Sequence, residues 1–344
     1  MSLSKYYKLI VMIGGLYMND NINFIGESGP TIVAFDVTGM CNFKCLHCYN
    51  DSGQPLTEEL SDAEALDVAK QIADLKPINV CICGGEPLLR KNVCDIVKII
   101  AECNAVVNMV SNGSLLNEEL LINLKNAGLD TIQISLDGIN YMQHDTFRGY
   151  KGAFEKAVNA IKLCTKIGIP VMTSFSPNKL NYKYVNEYFE LCNDLGVTSA
   201  RVMPIIPMGR GSKMDRLLLS ADDYTYLQLQ IEKCKNKFNQ NNMQVEWGDP
   251  LEHYYRMPIN AKAGLKTLTM EIKANGNLTI STYLPIVVGN VRKHTLKEYW
   301  NGGYKNLWER KEITDYISKI ENIYDINNLD PKPYSGEFYY IDIL

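Results

Sequence analysis

The sequence predicts an α/β protein built on a parallel sheet, and two observations carry that reading. From residue 31 onward, apolar β-branched runs alternate with amphipathic stretches of helical period. Three of those helical stretches end in a glycine, at Asn126-Ala127-Gly128, Lys166-Ile167-Gly168 and Asp194-Leu195-Gly196, each followed closely by the next apolar run. Six consecutive units of this kind suit either an open doubly wound sheet or a partial barrel, and periodicity alone does not choose between them. With 344 residues, 46% hydrophobic and 22% charged, the chain has ample apolar content for a core and none of the signature of disorder or coiled coil. Its 35 Lys and Arg against 39 Asp and Glu give a net charge of −4, which lacks the basic surface that nucleic acid demands.

The elements follow in order. A lead segment, residues 1–30, carries Lys5 and Lys8 before an apolar run from Leu9 to Met18. It has no small-residue cleavage site and is too short for a membrane span, which needs about twenty residues, so a first strand or buried segment is expected. Strands are then expected at Ile32–Val37, Ile78–Cys83, Ala105–Val110, Thr131–Leu136, Ile169–Phe175 and Ala200–Ile205. Between the first two, Ser61 and Glu64 form a capping box for a helix whose face carries Leu66, Ala69, Ile72 and Ala73 and which stops at Lys76-Pro77. After residue 215 the pattern changes to a helix from Ala221 to about Phe238, then two short runs flanking Asn275-Gly276, a hairpin signal. The expected division is therefore a lead segment at 1–30, an α/β domain at 31–215 and a smaller α+β domain at 216–344.

Ten cysteines are distributed unevenly: seven lie between residues 41 and 103, and none occurs after Cys234. Bunched cysteines in a chain of this size belong to metal or redox chemistry in a reducing, cytoplasmic setting rather than to a disulfide framework. Right after the first strand comes Cys41-x3-Cys45-x2-Cys48. Three thiols so spaced in a tight loop can converge on one metal centre. A structural zinc site needs a fourth ligand, and His47 is at hand, although its place beside Cys48 strains joint ligation of one ion. An iron–sulfur cube on three thiolates instead leaves one iron open.

The next three strands each end in a polar, turn-forming segment. The second ends at Cys83-Gly84-Gly85-Glu86-Pro87, where paired glycines permit close backbone approach and Glu86 offers a carboxylate to an ammonium. The third ends at Ser111-Asn112-Gly113, and the fourth at Ser135-Leu136-Asp137-Gly138, whose acid can accept from ribose hydroxyls. All lie at the carboxyl ends of strands, the edge where parallel α/β proteins place their sites. Together they outline a metal cluster, an amino-acid ammonium and a ribose.

Cys41-x3-Cys45-x2-Cys48 with the Gly84-Gly85-Glu86-Pro87 turn resembles the radical S-adenosylmethionine (radical SAM) superfamily over roughly residues 31–210. The resemblance implies a partial (β/α)6 TIM-like barrel. It implies one [4Fe–4S] cluster on Cys41, Cys45 and Cys48, with S-adenosylmethionine chelating the fourth iron. It places Glu86 and the backbone of Gly84 and Gly85 at the ammonium, Ser135 and Asp137 at the ribose, and the main chain at His47 by the adenine. Arg148 resembles the family's carboxylate-binding arginine, Ser111 and Asn112 a polar strand end facing the cofactor, and Met203 and Ile205 an apolar wall over the adenine. It further implies reduction by a flavodoxin- or ferredoxin-type donor and hydrogen abstraction from an unactivated C–H bond.

The C-terminal region resembles the SPASM-like module of peptide-modifying relatives, with Ser281 where that module expects a cysteine ligand. A cluster-free substrate-binding domain is therefore expected. The leading expectation is C–H functionalisation of a ribosomally made peptide. A small molecule such as a tetrapyrrole, sugar or cofactor precursor is the alternative substrate, and a zinc-stabilised binding protein a more distant one. Cys83, on the same strand face as Cys81, is a candidate hydrogen-atom donor to a substrate radical. His144, His253 and His294 lack ligand spacing and are expected at the surface or in caps.

Overall fold

The structure is a computed structural model in which residues 28–239, 243–248, 252–321, 325, 338–341 and 343–344 are described. The run from Leu9 to Met18 lies outside the described residues. All six expected strands form, β1 (Ile32–Thr38), β2 (Asn79–Gly84), β3 (Val106–Ser111), β4 (Thr131–Ser135) and β5 (Val171–Phe175) within two residues of their expected bounds, and β6 (Ser199–Val202) ending three residues before the expected Ile205. Neighbours in this series pair in parallel.

Two further parallel strands flank the series. β7 (Gln244–Trp247) lies on β6, and β8 (Thr269–Ile272) lies on the far side of β1 with Ile32 opposite Thr269. β8 then turns through Gly276 into β9 (Asn277–Thr279), the expected hairpin, followed by β10 (Ile286–Asn290) and β11 (Tyr339–Tyr340). The full order is β11-β10-β9-β8-β1-β2-β3-β4-β5-β6-β7. Residues after 215 thus contribute strands to the sheet that carries the first six, and one apolar core runs from Val33 to Ile343.

The helices that cover the sheet begin and end where their sequences dictate. α1 (Asp62–Asp74) starts on the Ser61/Glu64 capping box and buries Ala65, Val68, Ala69 and Ile72, a face rotated by one position from the expected one. α2 (Val93–Ala101), α3 (Glu118–Ala127), α4 (Tyr141–Arg148), α5 (Ala153–Ile167) and α6 (Val185–Asp194) follow. Gly128, Gly168 and Gly196, just past three of them, all have positive φ. α7 (Ala221–Phe238) sits where expected, on a second capping box at Ser220 and Asp223. α8 (Glu252–Lys262), α9 (Leu296–Gly302) and α10 (Lys311–Ile317) complete the C-terminal region. Among the described residues no helix is long and apolar enough to cross a membrane.

Side chains alternate across the strands, and the two faces differ in chemistry. Val33, Phe35, Val37, Val80, Ile82, Val107, Met109, Ile132 and Ile134 enter the core beneath the helices. The opposite face carries Asp36, Cys81, Cys83, Asn108, Gln133, Ser135, Ser174, Arg201, Glu246, Glu271 and Lys273. A parallel sheet that serves only as scaffold is apolar on both faces. Here the inner face is polar and half-exposed at several positions, which suits a chamber that admits a ligand.

Candidate active site at the carboxyl edge of the sheet

The cysteine loop leaves β1 and is fixed by its own backbone and by three distant segments. Gly53 N–H donates to Gly39 O at 3.2 Å, and Met40 bridges Gly53. Leu46 N–H donates to Phe147 O at 2.9 Å, and Arg210 holds Cys45 O at 2.8 Å through Nε and Cys48 O at 3.0 Å through its backbone N–H. Cys41, Cys45 and Cys48 gather in one small cluster with Phe43, Tyr150 and Ala153, in which the Phe43 and Tyr150 rings stack at 4.4 Å.

The thiols are free, and burial pushes Cys41 up to about 11 and raises Cys45, with neighbouring thiols adding to both. Among the described residues no three His, Cys, Asp or Glu side chains close tightly enough to share a single ion. His47 lies flat on Phe147 at 4.1 Å, and its buried Nδ1 has no partner. Three thiols gathered in one small cluster are the soft ligand set that an iron–sulfur cluster takes. Donors already approach two of the sulfurs: Ser52 N–H to Cys48 Sγ at 3.4 Å and Arg148 to Cys45 Sγ at 3.8 Å.

The turn after β2 is built against this loop. Gly85 N–H donates to Thr38 O at 2.8 Å and Glu86 N–H to Met40 O at 2.7 Å. Gly84 has φ +136°, and a Cβ there would sit 2.3 Å from Thr38 O; one on Gly85 would sit 2.1 Å from Met40 O. Only glycine fits either position; Gly84 lies against the end of β1 and Gly85 against the start of the cysteine loop.

Glu86 is completely buried and reaches under the end of β3. Its Oε1 accepts from Ser111 Oγ at 2.8 Å and Leu88 N–H at 3.3 Å, and its Oε2 from Asn112 N–H at 2.8 Å. Burial lifts this carboxyl to about 7 despite those three donors. Asn112 in turn donates to Asn42 Oδ1 at 2.9 Å, closing a circuit from the glutamate back to the cysteine loop.

At the end of β4, Asp137 is completely buried and paired with Arg148 of α4, Nε to Oδ2 at 2.5 Å. Ser176 N–H donates to the other carboxylate oxygen at 2.7 Å. Burial pushes Asp137 up, but a guanidinium and a backbone N–H on its oxygens favour the anion, so the pair is Asp137 carboxylate with Arg148 cation. Burial also opposes the charge of Arg148, yet Asp137 and Cys45 outweigh it and raise its pKa.

His144, expected at the surface or in a cap, is buried beneath this pair. Its Nδ1 accepts from Asp137 N–H at 2.9 Å, and burial holds the ring neutral. Ser135 precedes this turn on the polar face, opposite Ser174 of β5.

Beyond β6, Ile205 packs with Phe147 and Met214 in a separate apolar cluster, so it lies over the His47 side of the loop, while Met203 hydrogen bonds through its backbone to β5. Cys83 lies on the inner face with its Sγ 3.6 Å from Cys81 O, and its hydrogen bond with Cys81, burial and the Asp36 carboxylate all hold it protonated. Asp36 is bonded by Lys273 of the C-terminal region at 3.1 Å.

The structure therefore brings the strand-end segments onto one edge and adds residues that the sequence reading missed. Asn42 and Arg210 both clamp the cysteine loop. Arg210 sits in a short helical turn, Gly209–Lys213, beyond an apolar stretch that follows β6, so the polar signal of the earlier strand ends did not mark it.

Residues 35–195 match the Radical SAM superfamily. The AdoMet-dependent heme synthase of Methanosarcina barkeri is 28% identical over 83% of this chain and 87% of its own length. The sporulation killing factor maturation protein SkfB of Bacillus subtilis is 29% identical over 63% of this chain and 53% of its own. Streptococcus suis SuiB, in its crystal structure bound to S-adenosylmethionine, superposes with a TM-score of 0.69 at 14% identity, over 86% of this chain and 75% of SuiB. Family match, barrel-type fold and three-cysteine loop agree: residues 35–195 form a radical SAM domain, and that family uses a [4Fe–4S] cluster and S-adenosylmethionine.

Proposed function

We propose that the chain is a radical SAM enzyme acting on a small molecule, with a tetrapyrrole as the substrate class. One observation carries this reading. The likeness to a heme synthase runs through 83% of the chain, well past the barrel, whereas the likeness to a peptide-maturation protein covers 63%. The peptide substrate expected from the C-terminal resemblance gives way on that ground.

In this reading Cys41, Cys45 and Cys48 hold the cluster. Bound there, a [4Fe–4S] cluster with S-adenosylmethionine would supply the one-electron chemistry that removes hydrogen from a substrate C–H bond. Glu86 fixes the β2 turn and the β3 end, so that Gly84, Gly85, Ser111 and Asn112 face the methionine end of the cofactor. Ser135 and the Asp137–Arg148 pair flank the ribose and carboxylate. The main chain at His47, with Met203 and Ile205, closes over the adenine. The polar inner face, including Arg201 and Lys273, receives the substrate, and residues 216–344 contribute to its binding without a cluster of their own. Cys83 is poised on that face as a hydrogen-atom donor. Electrons arrive from a flavodoxin- or ferredoxin-type protein.

Anaerobically reconstituted protein with dithionite and S-adenosylmethionine should release 5′-deoxyadenosine slowly, and iron coproporphyrin III should raise that rate at least about tenfold, a barrier change of about 1.4 kcal/mol. A peptide carrying cysteine and aliphatic residues should not. Stimulation by the peptide and none by the porphyrin would sink the substrate assignment.

A further inference from the structure

We propose that Arg148 sets the reduction potential of the iron–sulfur cluster through its contact with Cys45, a role distinct from holding the cofactor's carboxylate. The inference rests on the reading that Cys45 is a cluster ligand.

Three features make Arg148 a fixed charge rather than a mobile side chain. Its guanidinium is buried between two partners, Asp137 Oδ2 at 2.5 Å and Cys45 Sγ at 3.8 Å. Asp137 is itself immobilised: Ser176 N–H holds its free oxygen at 2.7 Å, Asn181 Nδ2 holds its carbonyl at 2.9 Å, and His144 holds its N–H at 2.9 Å. The end of α4 that carries Arg148 is joined to the cysteine loop. Leu46 N–H bonds Phe147 O at 2.9 Å, and a Cβ on Gly149 would meet Lys44 O at 2.4 Å. The guanidinium is thus aimed at one ligand sulfur by the fold itself.

Reduction by one electron adds a negative charge to the cluster and its thiolates. Charge and hydrogen bonds at the sulfurs are among the principal determinants of cluster potential, and a cation that cannot lose its proton favours the reduced form. Asp137 opposes this from the far side of the guanidinium and moderates it. The pair therefore forms a push and pull on one ligand, with predicted effects of opposite sign from its two members.

The test is a potentiometric titration of the reconstituted holoenzyme, followed by the electron paramagnetic resonance of the reduced cluster in the absence of S-adenosylmethionine. Arg148→Met should move the midpoint to more negative potential, Arg148→Lys should retain most of the wild-type value, and Asp137→Asn should move it the other way. An Arg148→Met midpoint equal to wild type would overturn the proposal, because an arginine serving only the cofactor's carboxylate has no effect before the cofactor binds. Equal shifts in the Met and Lys variants would also overturn it, since they would report packing rather than charge. Should Arg148→Met fail to retain a cluster, the Asp137→Asn midpoint decides alone: a positive shift supports the proposal, and none or a negative one refutes it. Cys45→Ala that keeps a normal cluster signal would instead refute the ligand assignment beneath it.

Discussion

Alanine at Cys41, Cys45 or Cys48 is expected to abolish 5′-deoxyadenosine formation and remove the cluster's visible absorbance, while the protein remains folded. Each substitution deletes one of only three proposed thiolate ligands, and no other cysteine lies in the loop. The loop's backbone is held independently of the sulfurs by Arg210, Phe147 O and the Glu86 N–H. The cost in stability should therefore stay near that of an ordinary substitution, about 1 kcal/mol. Thermal melts of the unreconstituted proteins check the fold, and anaerobic turnover checks the chemistry. Undiminished turnover in any one variant would remove that cysteine from the ligand set.

The second large effect is expected at Glu86. Glu86→Ala leaves the Asn112 N–H and the Ser111 hydroxyl buried without acceptors, at about 1–3 kcal/mol each, and releases the β3 end from the cysteine loop. Destabilisation of about 3 kcal/mol and loss of cofactor binding should follow.

The same carboxyl imposes a pH signature. Burial raises it from its ordinary 4.5 to about 7, so between those values the native protein keeps a proton that the unfolded chain releases. Stability from this group is fully present below about pH 4.5 and is lost as pH rises through 7, amounting to about 3 kcal/mol at most. Urea midpoints measured at pH 5 and pH 7.5 should show that slope in wild type and lose it in Glu86→Gln. An unchanged slope in the Gln variant would assign the titration elsewhere.

What the sequence made legible follows from the range of the interactions. Strand cores, capping boxes and helix-ending glycines are local, so the first six strands and α1 stand close to where periodicity put them. β7 was not anticipated, since its four residues alternate and carry a weak signal. β8 was visible as half of a hairpin, but nothing local could reveal that its other edge joins β1, some 237 residues away in the Asp36–Lys273 contact.

The site divides in the same way. The three cysteines are legible because eight consecutive residues contain them. The Glu86–Ser111–Asn112 circuit and the Asp137–Arg148–Cys45 chain were visible only as separate strand-end residues. Which carboxylate meets which donor is decided by how β2, β3, β4 and α4 stand side by side. Paired glycines suggested close backbone approach, and the structure shows which backbone each one meets, Gly84 the end of β1 and Gly85 the cysteine loop.

The C-terminal region bears most directly on the mechanism. Ser281 is buried at the position where the resembling module carries a cysteine, with its hydroxyl accepting from Tyr283 N–H at 3.2 Å, and the sequence has no cysteine beyond Cys234. The protein is therefore expected to hold one cluster, in the barrel alone. Iron and acid-labile sulfide measured after anaerobic reconstitution and gel filtration test this claim most directly. About four of each per polypeptide are predicted, and about eight or twelve would contradict it.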